Sequence, residues 1–109
     1  MNDALESKAN LIRPGELSVP TETVATVPNL GLTTDSRGIL MVRFTAGGNV
    51  KVGLFAIHGT DSLIKIAGDG MADQKDTASS YNAYFSEGAV TLQNTSSSDV
   101  SAKVTYFGA

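Results

Sequence analysis

Gly38-Ile39-Leu40-Met41-Val42-Arg43-Phe44-Thr45 and, after a turn of Ala46-Gly47-Gly48-Asn49, Val50-Lys51-Val52-Gly53-Leu54-Phe55-Ala56-Ile57-His58 carry the pattern on which the fold turns. Both runs are rich in β-branched and aromatic residues, and the turn between them tolerates positive φ, so they read as two antiparallel strands of a hairpin. In Ile39-Leu40-Met41-Val42 and in Leu54-Phe55-Ala56-Ile57 both alternating faces are apolar. A strand with one solvated face alternates apolar and polar residues, so these two are expected to be covered on both sides.

Working outward, further runs of the same kind are separated by Gly, Asn, Asp and Ser. They span Leu17 to Val27, Ser62 to Ala67, Ser80 to Ser86, Ala89 to Gln93 and Val100 to Phe107. The last is an ordinary half-buried strand, with Val100, Ala102, Val104 and Tyr106 on one face and Ser101, Lys103 and Thr105 on the other. Gly59-Thr60-Asp61 and Glu87-Gly88 supply further hairpin turns. The expectation is an all-β fold, an antiparallel, jelly-roll-like β-sandwich of about seven strands.

The chain of 109 residues is one domain's worth. Residues 16–109 form the expected β-sandwich head and residues 1–15 a short helical neck or tail. Asn2 to Ile12 holds good helix formers, an Asn-Asp start and a stop at Arg13-Pro14-Gly15. Leu5, Ala9 and Ile12 share one face at heptad-like spacing, although a helix of about three turns is marginal in water without a partner.

Eight Lys and Arg against eleven Asp and Glu, scattered, exclude the basic surface that nucleic-acid binding needs. No run approaches the roughly 20 apolar residues of a membrane span, and the first residues lack the basic and apolar parts of a secretory signal. With no Cys, disulfides, thiolate metal sites and Cys nucleophiles are excluded. So small a core makes self-association a natural means of burying more surface. A doubly apolar strand then has two explanations: a sister subunit covers its outer face at Ile39, Met41, Phe55 and Ile57, or the leading segment Glu16 to Thr34 folds over it.

Raw material for catalysis is thin. His58 is the only histidine and sits at a strand end, and no nucleophile elbow, phosphate loop or dinucleotide fingerprint occurs. The expectation is a protein that is not an enzyme and carries no cofactor and no metal. The longest unpatterned stretch, Gly68 to Ser79, holds Asp69, Asp73, Gln74, Lys75 and Asp76. Its carboxylates lack the alternate-residue spacing and closing Glu of a calcium loop, so a solvated loop is the simpler reading. Tyr81 belongs with Ala83 and Phe85 on the inner face, which leaves Tyr84 outward beside that loop. An aromatic plate next to planar polar groups is what a sugar-binding surface uses, so Asp73, Gln74, Lys75, Asp76 and Tyr84 are the candidate binding residues. Thr95-Ser96-Ser97-Ser98-Asp99 reads as a polar turn whose side chains satisfy their own backbone.

The string Asn2-Asp3-Ala4-Leu5-Glu6-Ser7-Lys8-Ala9-Asn10 resembles the n-x-A-L-x-x-K-A-N segments of bacteriophage tail-fibre proteins. There such segments form short trimeric coiled coils between β-structured modules. The resemblance covers about a tenth of the chain and none of the β head. It implies a virion protein made in the host cytoplasm, a homotrimer joined through the neck and the apolar outer faces, with loops that meet a host-surface glycan or protein. Only one heptad is present, so the neck alone would not hold a trimer. Two alternatives share the architecture: a capsid decoration or head-fibre protein bound to the viral shell, and a carbohydrate-binding module.

Overall fold

Alternating side chains put strands nearly everywhere that the residue pattern has period two. In the computed structural model, which describes residues 10–77 and 80–109, ten strands follow one another. They are β1 (Asn10–Ile12), β2 (Glu16–Val19), β3 (Thr23–Thr26), β4 (Arg37–Ala46), β5 (Asn49–His58), β6 (Ser62–Ala67), β7 (Met71–Ala72), β8 (Tyr81–Ser86), β9 (Ala89–Asn94) and β10 (Val100–Gly108). The larger sheet runs β1-β10-β4-β5-β6 with β2 also on β10, and the smaller runs β3-β9-β8-β7. All pairings are antiparallel except the two-residue contact of β7 with β8. The fold is therefore all-β and dominated by antiparallel pairing.

Two parts of the expected layout change. The run Leu17 to Val27 is not one strand: Pro20 has no N–H for a ladder, Thr23 N donates to Pro20 O at 3.2 Å, and Glu22 takes φ 59°. That turn sends β2 to the larger sheet and β3 to the smaller. The helix expected over Asn2 to Ile12 does not include its C-terminal part, because Asn10–Ile12 is strand paired with Gly108, Phe107 and Tyr106. Partners on β10 give this segment a backbone ladder and bury Ile12 against the core, which outweighs weak local helix propensity. Residues 1–9, with Leu5 and Ala9, lie outside the described residues.

Arg13-Pro14-Gly15 is a bulge between β1 and β2. Ile12 faces Tyr106 and Glu16 faces Lys103, so four steps along one strand match three along the other. The extra residue is absorbed where Pro14 offers no donor and Gly15 takes φ 106°, a backbone suited to glycine.

Inward side chains of both sheets form one core: Leu40, Val42, Phe44, Phe55, Ile57, Val104 and Tyr106 from the larger, Tyr81, Ala83, Val90 and Leu92 from the smaller. Phe44 and Tyr81 stack across it with centroids 4.2 Å apart and planes 10° apart. Val19, Val27 and Leu30 of the leading segment join this same core. That segment therefore does not cover the outer face of β4 and β5. Phe55 and Ile57, expected on that outer face, are instead buried inside. With both faces apolar the sequence left the phase of β5 undetermined, and its cross-strand register with Leu40 set it.

Candidate functional site

The segment between β6 and β8 crosses from one sheet to the other, and its tethers explain its shape. Met71 is buried, and its Sδ occupies space beside Gly53 and Gly68 that a side chain at either position would fill. Lys65 N donates to Asp73 Oδ2 at 2.8 Å and Lys65 Nζ donates to Met71 O at 3.0 Å, which fastens the first half to β6. At the other end Asp76, at φ 59°, donates its N–H to Gln93 Oε1 at 2.8 Å, while Gln93 Nε2 donates back to Asp76 Oδ1 at 2.5 Å. Asn82 Nδ2, buried, donates to the same Gln93 oxygen at 2.9 Å. The carboxylates of Asp73 and Asp76 thus hold the loop on two different strands and face backbone or amide donors.

Between these tethers the crest of Gln74 and Lys75 is exposed and overlooks a cleft of about 410 Å³ at the open side between the sheets. Asp61, Leu63, Asp73, Gln74, Lys75, Tyr84, Phe85 and Ser86 line it. Four of the five residues chosen from sequence therefore meet in one place. Asp76 does not line the cleft. It borders a second hollow with Glu22, Gln93, Asn94 and Thr95. Burial, and secondarily the Asp76 carboxylate, raise the Tyr84 phenol above its ordinary pKa, so it stays protonated and able to donate.

Sequence reasoning missed Asp61, Leu63, Phe85 and Ser86. Asp61 reads as a hairpin turn residue, and only the tertiary fold brings it to the same cleft as Lys75. His58 is exposed at the end of β5 opposite Arg37. Tyr81 is buried with Ala83, as alternation predicts. In the turn after β9, Ser96 N donates to Asn94 Oδ1 at 2.9 Å and Ser98 N donates to Ser96 Oγ at 3.3 Å. Its backbone is served partly by its own Ser96 and partly by Asn94 of β9 and by Thr21, whose hydroxyl donates to Ser96 O.

A second surface lies on the outer face of the larger sheet. Leu11 pairs with Phe107, Phe107 with Ile39, Ile39 with Ala56 and Ala56 with Ile64. Cross-strand partners point to the same side, so these residues make one apolar row across five strands. The next row holds Thr105, Met41 and Leu54, and the one after it Glu16, Lys103, Arg43 and Val52. Ile39 and Met41 are each 40% exposed.

No family model, no curated protein and no solved structure matches this chain.

Proposed function

We propose that this chain is a non-enzymatic structural protein of a virion: a jelly-roll-like tip domain of a trimeric tail fibre that adheres to the host surface. The observation that carries the adhesive part is the cleft beside Tyr84, where side chains singled out as a binding set in the sequence converge on a water-accessible hollow. Its lining pairs an aromatic ring and Leu63 with Asp61, Gln74 and Lys75, a mixture suited to the apolar faces and hydroxyls of a sugar. Both loop ends are held by hydrogen bonds, so little ordering cost falls on binding. Each such site is weak on its own, and three on one fibre gain by avidity.

The test is adsorption of the purified chain to host cells, with a glycan array run beside it. The expected result is saccharide-dependent binding that Tyr84→Ala and Lys75→Ala each weaken. Stoichiometric binding to empty capsids, with none to cells or glycans, would overturn adhesion and assign capsid decoration instead. Binding unaffected by either substitution would remove the cleft from the reading.

A further inference from the structure

The outer face of the larger sheet is apolar in a way that a single copy leaves unused. Among the described residues and apart from Val24, every large apolar side chain that is strongly exposed lies on this sheet: Leu11, Ile39, Met41, Phe107 and four from β5 and β6. At 40–59% exposure each, these side chains present on the order of 700 Å², above the ~300–600 Å² of the largest patch on an ordinary monomer and near the ~800 Å² that each partner gives to a stable interface.

From this area we infer that the outer face, centred on Ile39, Met41 and Phe107, is where a second copy of this chain binds. The inference rests on the self-association in the reading above and not on its three-fold count, because two like faces stacked on each other close as a pair. Three features favour a copy of the same chain as occupant. The area matches a protein interface, as just worked. One apolar row runs straight across β1, β10, β4, β5 and β6, so two such faces can stack with their side chains interleaved, as the facing sheets of a core do. Two rows along from Ile39, both signs of charge occur, Glu16 beside Lys103 and Arg43. A face with an apolar band beside a row that carries both signs can complement itself under two-fold symmetry.

The positions differ from those that a sequence-only choice gives. Phe55 and Ile57 are inside, and Leu54, Ala56, Ile64 and Ile66 replace them. Substitution on the outer face therefore separates assembly from folding, whereas substitution at Phe55 confounds the two.

The experiment is sedimentation velocity and light scattering of the full chain over a concentration series, for the wild type, Ile39→Lys, Phe107→Lys and the control Val24→Lys, which is exposed on β3. The expected result is an oligomeric wild type and control, with each outer-face variant folded by circular dichroism and its dissociation constant raised at least ~30-fold, the loss of one strong contact. A second measurement needs no variant: in the wild type, the methyls of Ile39, Met41 and Ile64 should be shielded from a soluble paramagnetic agent to which Val24 stays open. Outer-face variants that assemble like the wild type, or an oligomeric wild type whose outer-face methyls stay open, overturn the inference while leaving an oligomer made through another surface. A monomeric wild type at 100 μM overturns the oligomeric reading too, and adsorption to cells then tests the adhesive cleft separately. Uptake of a monomeric chain onto anionic phosphatidylglycerol vesicles, lost in Ile39→Lys, would mark the face as a lipid contact and overturn the inference.

Discussion

Asn94→Ala tests how the two sheets are joined at one end. Asn94 is fully buried at the end of β9. Its Nδ2 donates to Val19 O at 2.9 Å and to Ser98 O at 2.7 Å, and its Oδ1 accepts from Ser96 N at 2.9 Å and Ser96 Oγ at 2.6 Å. One amide thus ties β2 of the larger sheet to β9 of the smaller and shapes the polar turn beyond. Truncation removes all four bonds; Ser98 O keeps a bond from Ser96 Oγ at 3.0 Å, while Val19 O and Ser96 N each lose the partner that Asn94 gave them. At ~1 kcal/mol per ordinary bond, and more for each buried group left alone, the loss comes to about 3–5 kcal/mol. That is a large part of the ~5–15 kcal/mol that holds a domain folded. Urea unfolding at fixed protein concentration measures it. Asn94→Asp keeps the shape and loses the donors, placing a carboxylate against two carbonyl oxygens. Burial and those oxygens raise the folded-state pKa of the new carboxyl, so the variant is least handicapped below the unfolded carboxyl pKa and loses stability as pH rises through the folded value. A cost under 1 kcal/mol for the alanine variant, with an unchanged urea slope, would refute this account of the junction.

Gly38→Ala, in the β4–β10 ladder, would place Cβ 2.5 Å from Phe107 O and 2.7 Å from Gly108 Cα, so a loss of about 1–3 kcal/mol in thermal or urea unfolding is expected. Phe44→Ala removes a fully buried ring stacked on Tyr81 and should cost about 3–5 kcal/mol by the same assay. Phe55→Asp should unfold the chain, while Ile39→Asp leaves its circular dichroism intact; equal effects would mean the register of β5 is wrong. Tyr84 and Tyr106 both have raised pKa values, from burial in each case and for Tyr84 from Asp76 as well. Their folded forms hold the proton longer than the unfolded chain does, so stability is constant below the ordinary tyrosine range of about 10 and falls as pH climbs through it. Asp76→Asn should bring the Tyr84 titration, followed by ultraviolet absorbance, closer to the ordinary value.

Local pattern by itself determined the strands from Gly38 onward and the turns between them, except β7, whose two residues lie in the stretch read as an unpatterned loop. Residues such as Ala46-Gly47-Gly48-Asn49 and Glu87-Gly88 have few backbone options, and period-two runs have one regular structure that suits them. It also marked Asp73, Gln74, Lys75 and Tyr84, because a long unpatterned loop beside an outward aromatic is visible along the chain. Tertiary structure alone decided three things. Asn10–Ile12 is a strand because β10 offers it partners that no short segment supplies to itself. Asp76 turned to Gln93, and Asp61 came to the cleft that Lys75 also lines, because those neighbours are remote in sequence and meet only once the chain has folded. On β5 both alternating sets are apolar, so hydrophobicity cannot choose between them. Pairing with β4 chose Phe55 and Ile57 for the core and left the other set, with Ile39 and Met41, on the outside.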